Sequence, residues 1–148
     1  TYLNLIHDLT TGRPPKPDFD AERKVQNAVR TMVQEGLLET AHDCSDGGLA
    51  VALTDCSMGE AAPGFRVSLP GEGRGDERLF GEDGARIVIA YDPTQRDAVQ
   101  AVASDNGVTL TEIGATGGDR IVIENWIDVS LQDIRKQWSE GFENTVGL

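Results

Sequence analysis

Residues 41–53 read AHDCSDGGLAVAL: two carboxylates (Asp43, Asp46), a hydroxyl (Ser45) and two glycines (Gly47, Gly48) stand directly before a run of small apolar residues. If Ser45 or Asp46 caps a helix that starts here, its first-turn N–H groups lack intrahelical partners and the glycines put no side chain in the way. A helix start of that kind can hold a phosphate. The aspartates would repel a bare phosphate, so a divalent cation is the simplest way to reconcile amides with carboxylates. Magnesium commonly combines one or two carboxylates with phosphate oxygens. The same residue types also make ordinary caps and turns, and paired glycines let a helix start pack closely against a strand. The stretch is shorter and less specific than a phosphate loop. On its residues alone, a magnesium-nucleotide site and a structural turn both stay open. His42 is read as orienting the turn or packing at the strand end.

Three other groupings bear on function. LFGEDGARI (79–87) places Glu82 and Asp83 before an apolar strand, where a loop could face a ligand or could be a solvated turn. GATGGDR (114–120) is glycine-rich but lacks the strand-then-helix setting of a phosphate loop, and reads as a hairpin turn. Trp126 and Trp138 read as core or interface aromatics. None of these sets a nucleophile beside a base, so no catalytic residue is assigned. Cys44 and Cys56 form no CxxC pair and have only His7 and His42 to join them, which gives a zinc site little support. Reduced, partly buried thiols are expected.

These residues need elements to position them. Leu3, Ile6 and Leu9 fall at helical spacing in a leader that breaks at Gly12, Pro14, Pro15 and Pro17. From Asp20 onward Val25, Ala28, Val29, Met32 and Val33 define the buried face of a long helix, with Gly36 placed to end it. LLETAHD (37–43) reads as a strand entering the Asp43–Gly48 loop, and Leu49, Ala52, Leu53 and Cys56 as a second amphipathic helix ending near Gly59. Phe65, Val67 and Leu69 alternate as a strand does, and PGEGRGDE (70–77) has the composition of a surface loop. ARIVIAY (85–91) predicts a central strand. Asp92, Pro93 and Gln95 open a helix as N-cap, first-turn proline and capping-box partner, and Asn106 and Gly107 close it. VTLTEI (108–113) and RIVIE (120–124) read as two strands joined by the glycine-rich turn. Ser130 caps a last helix with Leu131, Ile134, Arg135 and Trp138 on one side. The fold class expected is α+β, a layered domain with a mixed sheet flanked by helices rather than a doubly wound parallel sheet.

A chain of 148 residues, 39% of them hydrophobic, suits one globular unit behind a short leader. With 25 acidic against 13 basic side chains and a formal net charge of −12, its surface repels phosphate backbones, so nucleic-acid binding is not expected. No apolar stretch approaches a membrane span and no signal peptide is evident, from which a soluble, cytoplasmic protein is expected. The first residue, Thr1, suggests a piece of a longer polypeptide.

AHDCSDGGLAVAL closely resembles the His-Asp-x-Ser-Asp-Gly-Gly-Leu motif of the phosphoribosylformylglycinamidine synthase family, in the second carboxy-terminal-type domain of its large subunit. That superfamily also holds aminoimidazole ribonucleotide synthetase and selenophosphate synthetase. TYLNLIHDLTTGRPP resembles the junction leading into this domain, LFGEDGARIVI the Leu-Phe-Gly-Glu-Ser segment, and IGATGGDRIVI the late Ile-Gly-x-x-Gly-Gly turn. The likeness spans essentially the whole chain, with residues 1–19 as leader and linker from a preceding domain and 20–148 as the domain proper.

The resemblance implies a cytoplasmic carbon-nitrogen ligase of purine biosynthesis. It uses ATP and magnesium to activate formylglycinamide ribonucleotide through an iminophosphate, then adds ammonia from glutamine. Implied partners are the other domains of the same polypeptide, a glutaminase subunit and a small accessory subunit. The amino-type domains supply most catalytic residues, so this piece alone should be inactive. Carried over by position, Asp43 matches a magnesium ligand and Ser45 a nucleotide-contacting serine at an auxiliary ATP/ADP site, with Gly47 and Gly48 in the same cofactor-binding loop, where Asp46, Gly47 and Gly48 shape the helix start. The chain departs from the family where Gly-Glu-Ser becomes Gly81, Glu82 and Asp83. That change removes a hydroxyl donor and adds repulsion toward phosphate. A non-catalytic docking module and a domain of an aminoimidazole ribonucleotide synthetase type of enzyme are the alternatives.

Overall fold

In the computed structural model, which describes residues 1–11 and 14–146, the chain begins with a short helix α1 (Tyr2–His7). The break expected at Gly12 lies outside the described residues. Asp18 opens the first long helix, α2 (Phe19–Gln34), its carboxylate accepting from the N–H groups of Asp20 and Ala21. The helix ends as the sequence predicts: Gly36 takes φ +67° and the Leu37 N–H bonds to Met32 O at 2.9 Å. Its buried face centres on Ala28 and Met32, while Val33, expected on that face, is 58% exposed.

The remaining elements are β1 (Thr40–Asp43), α3 (Gly48–Asp55), β2 (Phe65–Val67), α4 (Gly75–Phe80), β3 (Ile87–Ala90), α5 (Arg96–Asp105), β4 (Gly114–Thr116), β5 (Arg120–Ile123), β6 (Ile127–Ser130) and α6 (Leu131–Val146). A single 3-10 turn, Pro93–Gln95, leads into α5, and Asp92 caps it by accepting from the Thr94 N–H. The chain divides into two compact units, one of residues 1–56 and 73–111, the other of 57–72 and 112–148.

In the first unit β1 and β3 pair antiparallel, from Thr40 opposite Ala90 to Asp43 opposite Ile87. ARIVIAY therefore supplies one strand of a two-stranded ribbon, not the central strand expected. Its β-branched residues are used to cover a helical core rather than to sit inside a sheet. That core consists of Ala28, Met32, Leu37, Val99 and Ala103, with Leu38, Ile89, Tyr91, Val102, Val108 and Leu110 packed on it. VTLTEI forms no strand in residues 108–113: Val108 and Leu110 point into this core instead of joining a ladder. Part of the expected surface loop at 70–77 is helical, since Gly75, Asp76 and Glu77 form the first turn of α4 and bring Leu79 to 5% exposure.

The second unit carries the mixed sheet, in the order β4-β2-β5-β6. Strand β2 is antiparallel to β4 and parallel to β5, and β5 is antiparallel to β6. The hairpin expected across GATGGDR does not form. Gly114–Thr116 is itself an edge strand, and β2 is inserted between it and β5. The connection wraps the start of β2, with the Gly117 N–H on Gly64 O at 2.7 Å and the Gly64 N–H on Gly118 O at 2.9 Å. Insertion buries Phe65 and Val67 to 4% beside Ile121 and Ile123 at 1%, which a free hairpin could not do. Helices with a mixed sheet match the α+β class read from the sequence.

Candidate functional site

Strand β1 delivers Asp43 to the mouth of the loop, and the loop returns into α3 through Gly47 and Gly48. Neither Ser45 nor Asp46 caps the helix. The N-cap is Gly47, at φ +82°, which has no side chain of its own with which to cap the helix. The Ser45 hydroxyl instead turns back and donates to Asp43 Oδ2 at 2.5 Å. This bond holds the Asp43 carboxyl below the usual carboxylate range. Asp43, Ser45 and Asp46 are exposed and Gly48 is buried.

The two glycines answer different demands. Gly47 needs a left-handed conformation that side chains resist. At Gly48 a Cβ would lie 2.7 Å from Gly81 O and from the Phe80 carbonyl carbon, so only glycine lets α3 start against the end of α4. The expected close approach is real, but the neighbour is a helix end rather than a strand.

Glu82 completes the loop. Its Oε1 accepts the Gly47 N–H at 3.0 Å, and Thr1 together with this N–H holds the Glu82 carboxyl down at about 2. The Gly48 N–H is also engaged, by Ser45 O at 3.0 Å. Two of the backbone donors that the sequence left for a phosphate thus have intramolecular acceptors. The role of Glu82 has no local sequence signal, because its partner lies 35 residues away. Asp83 is exposed at the turn, and the next peptide is tied elsewhere, with the Ala85 N–H on Glu22 Oε1.

His42 lies beside the loop, its Nδ1 2.7 Å from Asp43 O and its Nε2 3.8 Å from Asp55 Oδ2. It ties the strand end to its surroundings, as the sequence suggests. Cys44 and Cys56 are free thiols, and burial pushes both above the ordinary thiol value, so they stay protonated. Trp126 is 44% and Trp138 67% exposed, which removes both from the core.

Among the described residues no group of three or more His, Cys, Asp or Glu side chains could hold a metal ion. The donor set at the loop is the exposed Asp43 carboxylate with the adjoining Ser45 hydroxyl. This fits a magnesium ion that takes its other ligands from phosphate, water or other protein, and does not fit a self-contained metal centre.

A mixed sheet, a set of helices, and an Asp-x-Ser-Asp-Gly-Gly loop feeding a helix start agree with the class: the chain belongs to the family of AIR synthase related protein C-terminal domains, whose model matches residues 1–126. Its relatives are more particular. The phosphoribosylformylglycinamidine synthase subunit PurL of Anaeromyxobacter sp. (strain Fw109-5) is 40% identical over 149 aligned positions, covering 95% of this chain and 19% of that protein. The crystal structure of phosphoribosylformylglycinamidine synthase II from Thermotoga maritima superposes with a TM-score of 0.69 at 20% identity, over 82% of this chain and 22% of that one. Thermotoga maritima PurL complexed with ATP gives 0.68 at 21% identity, over 80% and 22%. At those identities the structural likeness speaks for the fold. The chain spans about a fifth of the length of the curated relatives it matches.

Proposed function

We propose that this chain is a carboxy-terminal-type domain of a phosphoribosylformylglycinamidine synthase, a carbon-nitrogen ligase converting formylglycinamide ribonucleotide to formylglycinamidine ribonucleotide in purine biosynthesis. The observation that carries this reading is the 40% identity to Anaeromyxobacter PurL, which runs over 95% of the chain. In this reading residues 1–19 are leader and linker from a preceding domain and 20–148 the domain proper. The enzyme works in the cytoplasm, takes its ammonia from glutamine through a glutaminase subunit, and has a small accessory subunit as a further partner. In this reading the reacting groups come from the other domains and the chain alone is inactive.

When bound, ATP would supply the phosphoryl group that activates the substrate amide, and magnesium would offset the charge of its phosphates. What this chain's residues contribute is binding. Asp43, ionised throughout the neutral range, is the magnesium ligand of an auxiliary nucleotide site. The Ser45 hydroxyl, which orients that carboxylate, contacts the nucleotide, and Gly47 and Gly48 shape the helix start beside it. The hydrogen bond from Gly47 to Glu82 favours a second reading, in which the loop is a structural joint between α3 and α4 and holds no nucleotide.

One chimera separates these readings. The segment of the Anaeromyxobacter enzyme matched by this chain is replaced with it, and product formation and the heat of Mg-ADP binding are measured with and without Asp43→Ala. A chimera that turns over supports the domain assignment, and one that folds and assembles but forms no product sinks it. Mg-ADP heat that Asp43→Ala abolishes supports the magnesium site. Heat unchanged by that substitution removes Asp43 from the metal and leaves the joint.

A further inference from the structure

We propose that α1 is a latch on the start of α3: Tyr2, stacked on Phe80, holds the Phe80–Glu82 segment so that Glu82 stays on the Gly47 N–H. The inference uses contacts within the chain and stands whether or not the loop holds a nucleotide.

The Tyr2 and Phe80 rings lie 4.5 Å apart between centroids and 4° from coplanar, a face-to-face stack. Tyr2 is also fixed from its edge, by the His7 ring at 5.5 Å and 73° and by its hydroxyl 3.5 Å from His7 Nε2. The helix buries none of its own residues, and Leu5 and Ile6 are 74% and 64% exposed. Tyr2, through its ring, and Thr1, through Glu82, are two of the residues that tie α1 to the rest of its unit. Thr1 meets Glu82 itself.

Phe80 is held from the opposite side as well. Its backbone passes so close to Gly48 that a Cβ there would fall 2.9 Å from Phe80 Cα. The ring of Phe80 thus answers to α1 and its backbone to α3. Two residues further on, Glu82 Oε1 accepts the Gly47 N–H at 3.0 Å. A displacement of Tyr2 acts on Phe80, and through the short Phe80–Glu82 span it reaches the donor at Gly47. Removal of α1 from its seat therefore opens an amide at the helix start, and its return closes that amide with an internal carboxylate.

The test is amide hydrogen exchange at Gly47, read by NMR on the 148-residue chain. It compares wild type, Tyr2→Ala, Tyr2→Phe, Glu82→Ala and the Tyr2→Ala/Glu82→Ala double variant. Tyr2→Ala should speed exchange at Gly47 by roughly three- to tenfold, the range that one aromatic stack supplies. Tyr2→Phe, which keeps the ring, should restore the wild-type rate. Glu82→Ala should speed exchange at least as much as Tyr2→Ala, and the double variant no more than Glu82→Ala alone, because both act on one contact. The latch is overturned if Tyr2→Ala leaves Gly47 unchanged, or if the two substitutions multiply. It is equally overturned if the Met32 and Val99 amides speed up as much as Gly47, since the loss would then be global.

Discussion

Glu82 Oε1 lies 3.0 Å from the Gly47 nitrogen, which places an ionised carboxylate where an oxygen of a bound anion would otherwise sit. Any phosphate seated on that amide has to displace it. Its partners make Glu82 a sensor of acid. Thr1 first and the Gly47 N–H second hold its carboxyl at about 2 against an ordinary 4.5, so these contacts together stabilise the fold fully above about pH 4.5 and are lost as the pH falls toward 2. Urea unfolding between pH 6 and pH 2.5 should therefore give wild type a steeper acid-side loss of stability than Glu82→Gln, which cannot ionise. Identical slopes would mean that Glu82 leaves both Thr1 and Gly47 in solution. At this scale, legibility follows sequence distance. Asp92 was readable as a cap because its acceptor meets the Thr94 N–H two residues on. The motif glycines were readable as a helix start. Ser45 does not cap the helix: its hydroxyl donates to Asp43 Oδ2 at 2.5 Å, and its oxygen does not accept from the N–H groups of the helix start. Glu82 was out of reach because no periodicity links positions 35 residues apart.

Helix α6 shows how an element can fix a segment that has no regular structure of its own. Arg135 sends its guanidinium to three main-chain carbonyls between α3 and β2: Ser57 O at 2.9 Å, Gly59 O at 2.6 Å and Ala62 O at 2.7 Å. Ser57 is only 3% exposed, so its carbonyl has poor access to water as an alternative. Arg135→Met keeps the packing volume and removes the donors, and should lower the unfolding free energy by about 2 kcal/mol. Arg135→Lys should recover only part of the loss: the three carbonyls gather around one nitrogen, Nη2, which an ammonium can imitate, but the Nε–H donated to Ser57 O at 3.3 Å has no counterpart in lysine. A loss below about 0.5 kcal/mol in chemical denaturation, the usual scale of a neutral surface change, would show that solvent replaces the clamp. The sequence placed Arg135 on the inner side of α6 but grouped it with Trp138, which is 67% exposed. Helical spacing locates a face, and only the partner determines which residues at its margin are covered. The GATGGDR segment failed for a related reason. Two strand-like runs around glycines predict a hairpin, whereas the burial of Phe65 and Val67 rewards a strand inserted between them.

Across the molecule, the longer helices were legible, and the short helix α4 and the strand partners were not. Helical periodicity is a property of consecutive residues, while each strand pairing in both sheets joins segments whose choice depends on which apolar faces remain to be covered. The first unit makes the distinction measurable. Periodicity puts Met32 and Val33 on the same face of α2, yet Met32 is 2% and Val33 58% exposed. What separates them is α5, whose Val99 at 0% and Ala103 at 2% close over Met32 and Ala28, with Val108 and Leu110 sealing the rim. Those last two residues belong to the run that β-propensity assigned to a strand. They are drawn to the core because apolar burial there outweighs local preference. Met32→Ala should therefore cost about 2–5 kcal/mol, the cavity left by a large-to-small change in a sealed core. Val33→Ala should stay within about 0.5 kcal/mol, as exposed positions do. Urea denaturation of the two variants decides between the packing seen here and the face drawn from spacing alone. Comparable losses would put Val33 in the core and require α5 to sit elsewhere on α2. A loss confined to Met32 fixes the helix pair as the frame from which β1 carries Asp43 to the loop.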